Sequence, residues 1–316
     1  MLLAGGNIFF DEVEVLKRGF KSYIIPAFKI PHTIKNDMIR PRPSTLGLSY
    51  LDPAIMGIIN ITPDSFSDGQ EDLSTETVVK KVQKMVQDGA NIIDIGGEST
   101  RPGFEKVPVE DELSRVIPVI EAIRNAGLSI PISVDTMKAT VAEQALRKGA
   151  NMINDVSGLR DPEMCELVLS TEVQVCIMHM QGEPGNMQNS PHYTDVVQEV
   201  SSNLLRKARE LVEQGHAVNR ICLDPGIGFG KTLEHNISLL RKSESLRGDE
   251  GFSILWGVSR KSMFKELLGR EDTNERLAGT LGVAAYAQSK GIDILRVHDV
   301  AEHADIGHTI SKLELN

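Results

Sequence analysis

The spacing of apolar residues changes character at residue 54. From there on, short apolar runs that end in polar residues or glycine alternate with longer segments of helical period. The runs predict strands: AIMGIIN (54–60), NIIDIGG (91–97), PISVDT (131–136), NMINDV (151–156), VQVCIMHM (173–180), ICLDPG (221–226), ILWGVS (254–259) and ILRVHD (294–299). Between them the spacing predicts helices over 75–89, 109–126, 138–149, 162–170, 194–215, 232–244, 274–290 and 301–313. In the first of these, Val78, Val79, Val82, Met85 and Val86 mark one face, with lysines and glutamine between them. Gly89, Gly127, Gly149 and Gly215 stand where a left-handed C-cap is required. Two strands follow the same tripeptide, GAN, at 89–91 and 149–151, a weak internal echo of one helix-to-strand joint.

Strands alternating with helices imply a parallel sheet covered on both faces. Eight such units over this length predict a closed (β/α)8 TIM barrel. The competing fold, an open doubly wound sheet, usually carries a glycine fingerprint after its first strand, where this chain has Thr62-Pro63-Asp64-Ser65-Phe66. Residues 1–50 lack the rhythm and contain basic and proline-rich pieces. They read as an N-terminal extension of unassigned role, packed across the bottom or edge of a barrel domain at 51–316, with a linker at 31–45.

Composition narrows the function classes. The 316 residues are 41% hydrophobic and 25% charged, as in a globular protein, and the net charge of −10 argues against bulk nucleic-acid binding and against an anionic membrane surface. No apolar run approaches a membrane span, and the N-terminus lacks the basic region of a signal peptide. Cys165, Cys176 and Cys222 form no CxxC pair, and their odd number suits a reducing compartment. A cytoplasmic protein is expected.

Candidate chemistry collects at the strand ends: Asn60, Asp94, Asp135, Asn154 with Asp155, His179, Asp224, Arg260 with Lys261, and Arg296 with His298. In a barrel these ends share one rim, where active sites form. Any single one has a plain explanation: a strand-end aspartate is often a cap, His179 a satisfied core residue, Asp155 a rim holder. Together they mix acceptors suited to a donor-rich heterocycle (Asp135, Asn154, Asp224) with donors suited to an anion (Arg101, Lys231, Lys261, Arg296, His298). Arg296 and His298, two apart on one strand, face the same side. DPGIGFGKT (224–232) is not a nucleotide P-loop, since Pro225 stands where that motif needs glycine.

From about residue 53 to 315 the chain resembles the dihydropteroate synthases of the folate pathway. The resemblance rests on MGIINITPDSFSDG, DIGGESTRPG, SVDT, NDVSG, MHMQG, DPGIGFGK, GVSRKSMF and RVHDV, in the family's order. It implies condensation of 6-hydroxymethyl-7,8-dihydropterin pyrophosphate with p-aminobenzoate, giving 7,8-dihydropteroate and pyrophosphate. It also implies sulfonamides as inhibitors, Mg2+ as the metal, and a homodimer formed through the late helices. By resemblance Asp135, Asn154, Asp224 and Lys261 read the pterin, with Met178 and Arg296 against its ring. Asn60, Arg101, Arg296 and His298 hold the pyrophosphate, with the metal at Asn60. Phe66, Thr100, Pro102, Phe229 and Ser262 form the p-aminobenzoate pocket. Asn60, Arg101, Lys261, Arg296 and His298 are the expected catalytic residues, for a dissociative displacement. Residues 62–69 are expected to form a mobile loop that closes over the developing cation. A pterin-dependent methyltransferase would share the barrel but have no use for the TPDSFSDG and STRPG loops or an anion-holding Arg296/His298 pair. A catalytically dead pterin-binding barrel would be expected to lack Asn60, Lys261 or Arg296.

Overall fold

Eight parallel strands close on themselves, each followed by a helix that covers its outer face. The structure is a computed structural model that describes residues 1, 9–17, 19–39, 44–48, 52–62, 74–99 and 106–314. The barrel strands and helices, in chain order, follow an N-terminal hairpin, β1 (Glu12–Val15) and β2 (Tyr23–Pro26), and a short helix α1 (His32–Ile39). They are β3 (Ala54–Asn60), α2 (Thr75–Gln87), β4 (Ile92–Gly96), α3 (Val109–Asn125), β5 (Ile132–Asp135), α4 (Ala139–Arg147), β6 (Met152–Asp155), α5 (Pro162–Thr171) and β7 (Gln174–Met178). The chain continues through α6 (Val196–Glu213), β8 (Ile221–Asp224), α7 (Leu233–Arg241), β9 (Ser253–Trp256), α8 (Met263–Leu268), α9 (Leu277–Ser289), β10 (Ile294–Val297) and α10 (Val300–Glu314). The strand order β10-β3-β4-β5-β6-β7-β8-β9 is closed, so the predicted barrel with an N-terminal extension is the fold. No helix among the described residues is long and apolar enough to cross a membrane.

Strand alternation divides the apolar residues between two cores. On β3, Ile55 and Ile59 face outward into the large core shared with the helices, whereas Ala54 and Met56 face into the barrel with Ile92, Met152, Cys176, Cys222, Leu255 and Ile294. Cys176 and Cys222 are thus buried core residues. Leu46 and Leu48 pack against this inner cluster, and buried Thr45 donates from Oγ1 to Ser253 Oγ at 2.8 Å. The extension therefore contributes part of the inner barrel packing. The expectation of a linker over 31–45 is corrected: α1 occupies part of it, and a helical turn at Thr45–Gly47 ends the segment.

The GAN echo has a physical basis. Asn91 N–H donates to the Ile55 carbonyl at 2.8 Å while its Oδ1 accepts the Ile55 N–H at 2.8 Å. Asn151 treats Ile132 in the same way, at 2.7 and 2.9 Å. Each asparagine thus satisfies both polar groups of one residue at the start of the preceding strand, after a glycine at φ 105° or 107° has turned the chain out of its helix. Arg124 secures the second joint by donating to Gly149 O and Asn151 Oδ1. Asn91→Ala and Asn151→Ala should each cost about 1–3 kcal/mol, the penalty for leaving a buried strand N–H unpaired. Urea unfolding measures it, and unchanged midpoints would remove these side chains from the account of stability.

Candidate active site

The inward positions of the strands end in polar side chains at one mouth. Asn60 closes β3 opposite Gly96, Gly96 lies opposite Asp135, and Asp135 opposite Asn154. Gly96 leaves room between its neighbours: a Cβ there would lie 3.7 Å from both Asn60 Oδ1 and the Asp135 carboxyl carbon. Asp94, two residues earlier on the same face of β4, sits deeper and is fully buried. On the opposite wall Asp224 closes β8 opposite Met178.

Arg296 ties these groups together. Its Nε donates to Asp94 Oδ2 at 2.6 Å and its Nη2 to Asp135 Oδ2 at 2.6 Å. Asn154 Nδ2 donates to the same Asp94 oxygen at 3.2 Å. Burial works against the guanidinium charge, but Asp94 and Asp135 outweigh it and hold Arg296 more firmly protonated than usual. Burial pushes the Asp135 carboxyl up to about 7, with Arg296 pulling it down and Asp94 adding to the rise. Burial likewise raises Asp224, against the Gly226 N–H that its Oδ1 accepts at 2.7 Å and the nearby charges of Lys261, Lys231 and Arg296.

The rim above holds the remaining candidates. Lys261 Nζ lies 4.0 Å from the centroid of the Phe229 ring, a cation over an aromatic face. Met178 is buried with Val156, Met180 and Met187, and Met137 and Phe229 pack on that cluster, which forms an apolar, polarizable wall. His298 Nδ1 shares a hydrogen bond of 2.9 Å with Ser259 Oγ, and the His298 backbone N–H donates to the same oxygen at 3.1 Å. Ser262 is exposed at the entry to α8. Phe66, Thr100, Arg101 and Pro102 lie outside the described residues, as does all of loop 62–69 beyond Thr62.

Lys231 does not belong with the anion donors, and that expectation is corrected. It is buried, and its Nζ donates to the carbonyls of His179 and Phe229 at 3.2 and 2.9 Å, with His179 Nδ1 at 3.2 Å. Burial lowers its ammonium to about 7, and burial with the Lys231 charge lowers His179 to about 3. Lys231 therefore fastens the β8–α7 loop to the end of β7. The glycines of DPGIGFGK serve the same contact. A Cβ on Gly226 (φ 67°) would fall 2.0 Å from His179 O, and one on Gly230 (φ 61°) 2.7 Å from Gln181 O. Arg260 turns away as well, its guanidinium paired with the Asp299 carboxylate. Asp155 is a rim holder, accepting the N–H groups of Ser157 and Leu159 at 2.7 and 2.8 Å. Two residues had no site role assigned from the sequence. Asp94 stands among the strand-end candidates, and the structure adds its contacts with Arg296 and Asn154; Ser259 is visible only once β9 and β10 are known to end side by side.

Comparison with known proteins bears on this site as a whole. A family profile described as "Pterin binding enzyme" matches residues 56–298. The dihydropteroate synthase of Neisseria meningitidis serogroup C is 46% identical over 256 residues, covering 80% of this chain and 90% of that protein. A crystal structure of the Yersinia pestis dihydropteroate synthase with a sulfonamide drug complex is 40% identical, with a TM-score of 0.80 over 86% of this chain and 99% of that one. The Xanthomonas albilineans dihydropteroate synthase, solved with 4-aminobenzoic acid, is 42% identical, with a TM-score of 0.78 over 85% of this chain and 96% of that one. With identity at this level over four-fifths of its length, and acceptors and cations gathered at one barrel mouth, the chain belongs to the dihydropteroate synthase family.

Proposed function

We propose that this barrel mouth condenses 6-hydroxymethyl-7,8-dihydropterin pyrophosphate with p-aminobenzoate, releasing 7,8-dihydropteroate and pyrophosphate. The observation that carries the reading is the convergence of Asp135, Asn154 and Asp224 on the barrel mouth that Arg296 enters, with Asp94 below. Burying such acceptors is costly unless a ligand supplies donors. A pterin's pyrimidine edge, with a ring N–H beside an amino group, supplies them as a pair to Asp224. Asn154 and Asp135 take the remaining ring nitrogens, Lys261 donates to the carbonyl side, and Met178 and Arg296 lie against the ring. Sulfonamides are inhibitors of the same site, occupying the p-aminobenzoate position formed by Phe66, Thr100, Pro102, Phe229 and Ser262.

The reaction breaks the bond between the pterin methylene carbon and the pyrophosphate oxygen, and the electron pair leaves with pyrophosphate. The aniline nitrogen is neutral at pH 7 and supplies the pair for the new C–N bond, then passes one proton to solvent. No general base is needed to make it a nucleophile. The barrier therefore lies in separating charge, which favours a dissociative course. Arg101, Arg296 and His298 stabilise the leaving pyrophosphate, and the buried carboxylates stabilise the cationic pterin. Ser259 orients the His298 ring toward that task.

Mg2+ fits this site as a companion of the pyrophosphate. Among the described residues no cluster of His, Cys, Asp or Glu could hold a metal without help. The Asn60 amide oxygen at the rim is a hard donor of the kind that completes a magnesium sphere otherwise built from phosphate oxygens and water. When bound there, the metal would neutralise leaving-group charge. The reading includes a homodimer, for which the exposed Tyr286 and Leu313 of α9 and α10 provide apolar surface. It also includes a cytoplasmic location, with which the unpaired cysteines agree.

Asp224→Asn turns one acceptor into a donor facing ring donors. Pterin affinity should fall by about 1–3 kcal/mol while the melting temperature changes little. Calorimetric titration checks this, and wild-type affinity would defeat the pairing. Asp135 makes a pH prediction for the substrate-free protein. Its folded pKa of about 7 lies above the model-compound value of 3.8, so proton uptake favours the folded state. That contribution is complete below the lower value and is lost as pH rises through the higher one. The decline in wild-type stability across that window should flatten in Asp135→Asn. The metal proposal predicts that excess chelator weakens binding of the pyrophosphate-bearing pterin and spares a pterin lacking pyrophosphate. Equal binding of the full substrate with and without chelator would exclude it.

A further inference from the structure

A second cluster of buried charge stands beside the barrel mouth, at the stem of the β4–α3 loop. Glu98, just after β4, accepts the Val107 N–H on Oε1 at 2.6 Å, so one side chain joins the two stems of the loop. Its other oxygen takes Lys138 Nζ at 3.0 Å, and the same ammonium reaches Glu112 Oε2 at 2.5 Å. Glu112 lies in the first turn of α3 and is fully buried, and the Glu98 side chain is 4% exposed. Lys138 lies three residues beyond Asp135, where its own N–H donates to Thr136 Oγ1 at 3.2 Å. The loop also starts jammed against α3. A Cβ on Gly97 would fall 2.8 Å from Val116 Cγ2, and Arg115 donates to Gly97 O at 2.8 Å.

Two carboxylates sharing one ammonium in a nearly dry site is a poor device for stability, because apolar residues of the same volume commonly do as well or better. Directional bonds instead fix geometry. They set the distance between residues 98 and 107, and they set that loop stem against the residues that follow Asp135. We infer that Glu98, Lys138 and Glu112 form a positioning triad for the stems of the β4–α3 loop, holding the segment whose sequence includes Thr100, Arg101 and Pro102 by both ends beside the turn that follows Asp135. This rests on the proposed assignment of those three residues to p-aminobenzoate and pyrophosphate. The triad itself touches no substrate. It governs how accurately the second substrate and the leaving group are placed, and it leaves the pterin pocket to β5, β6 and β8.

Full-length enzyme carrying Lys138→Met tests the inference, with Lys138→Arg as the conservative rescue and Glu98→Gln as a second, isosteric way to break the ion pair. KM for p-aminobenzoate should rise by about ten-fold in Lys138→Met and Glu98→Gln, since small misplacements at a reacting centre have effects of this size. Calorimetric affinity for a pterin lacking pyrophosphate should stay within about two-fold of wild type, and Lys138→Arg should recover most of the loss. A p-aminobenzoate KM within about two-fold of wild type in both Lys138→Met and Glu98→Gln would overturn the inference. So would parallel losses for p-aminobenzoate and for the pterin, which would mark general loosening. Arg101→Ala separates the two levels. If it does not weaken the pyrophosphate-bearing substrate, the assignment of the loop has failed; if it does and the triad variants behave as wild type, the triad has.

Discussion

The pairing of Arg296 with Asp94 and Asp135 is the interaction on which the barrel mouth depends. Two carboxylates buried side by side are costly to bury without a cation between them. The guanidinium meets that need with directional contacts, its Nε to one carboxylate and its Nη2 to the other. The result is a compensated set of charges that folding can bury. It is also a set whose members a substrate can take over. In the proposed function, a pterin that brings N–H donors to Asp135 would do part of what Arg296 does in the free protein.

The barrel supplies this arrangement through strand parity. Residues two apart on a strand share a face, so Ser133 and Asp135, Met152 and Asn154, and Cys222 and Asp224 each place one side chain deep in the barrel and the next at its mouth, while on β4 Asp94 lies deep and Gly96 leaves its mouth position without a side chain. Apart from Asp94 and Ser133 the deeper members are apolar, and with Met56, Leu255 and Ile294 they fill the interior that Leu46 and Leu48 pack against. The N-terminal extension and the active site thus meet the same inner core from opposite ends. Asp94 is the exception with consequences: a charge one step below the mouth, where it anchors Arg296 and Asn154 from beneath.

Much of this was legible in the sequence because parity and strand ends are local properties. The strands were visible as apolar runs, and each terminal Asn, Asp or Arg could be placed on the rim without coordinates. The helices were visible as far as their period lasted, and α8 was missed because six residues carry too little of it. The hairpin β1–β2 was missed because its strands are short and mostly exposed, so no buried face imposes a pattern. Partner choice was not legible at all. Lys231, Lys261, Arg260 and Arg296 look alike as cations, yet one fastens two loops, one covers a ring, one pairs with Asp299 and one bridges two carboxylates. What separates them is the distance from strand end to neighbouring loop, which is a property of the closed barrel.

The same bridge constrains the proposed chemistry. A dissociative displacement needs negative potential near the pterin and positive potential near the pyrophosphate, only a few bonds apart. Loose charges placed that way would collapse onto each other and lower both potentials. Here the Nε end of Arg296 is held from below by Asp94, so the guanidinium cannot settle fully onto the rim carboxylates. Its Nη2 already reaches the rim, at Asp135. A group anchored at one end and facing the mouth with the other can turn from Asp135 to a departing anion with little movement, and the carboxylate it releases faces the cation left behind. The opposing charges that the proposed reaction requires are thus placed in advance by the fold as an ion pair, and the Asp94 contact keeps the guanidinium in place when its Nη2 leaves Asp135.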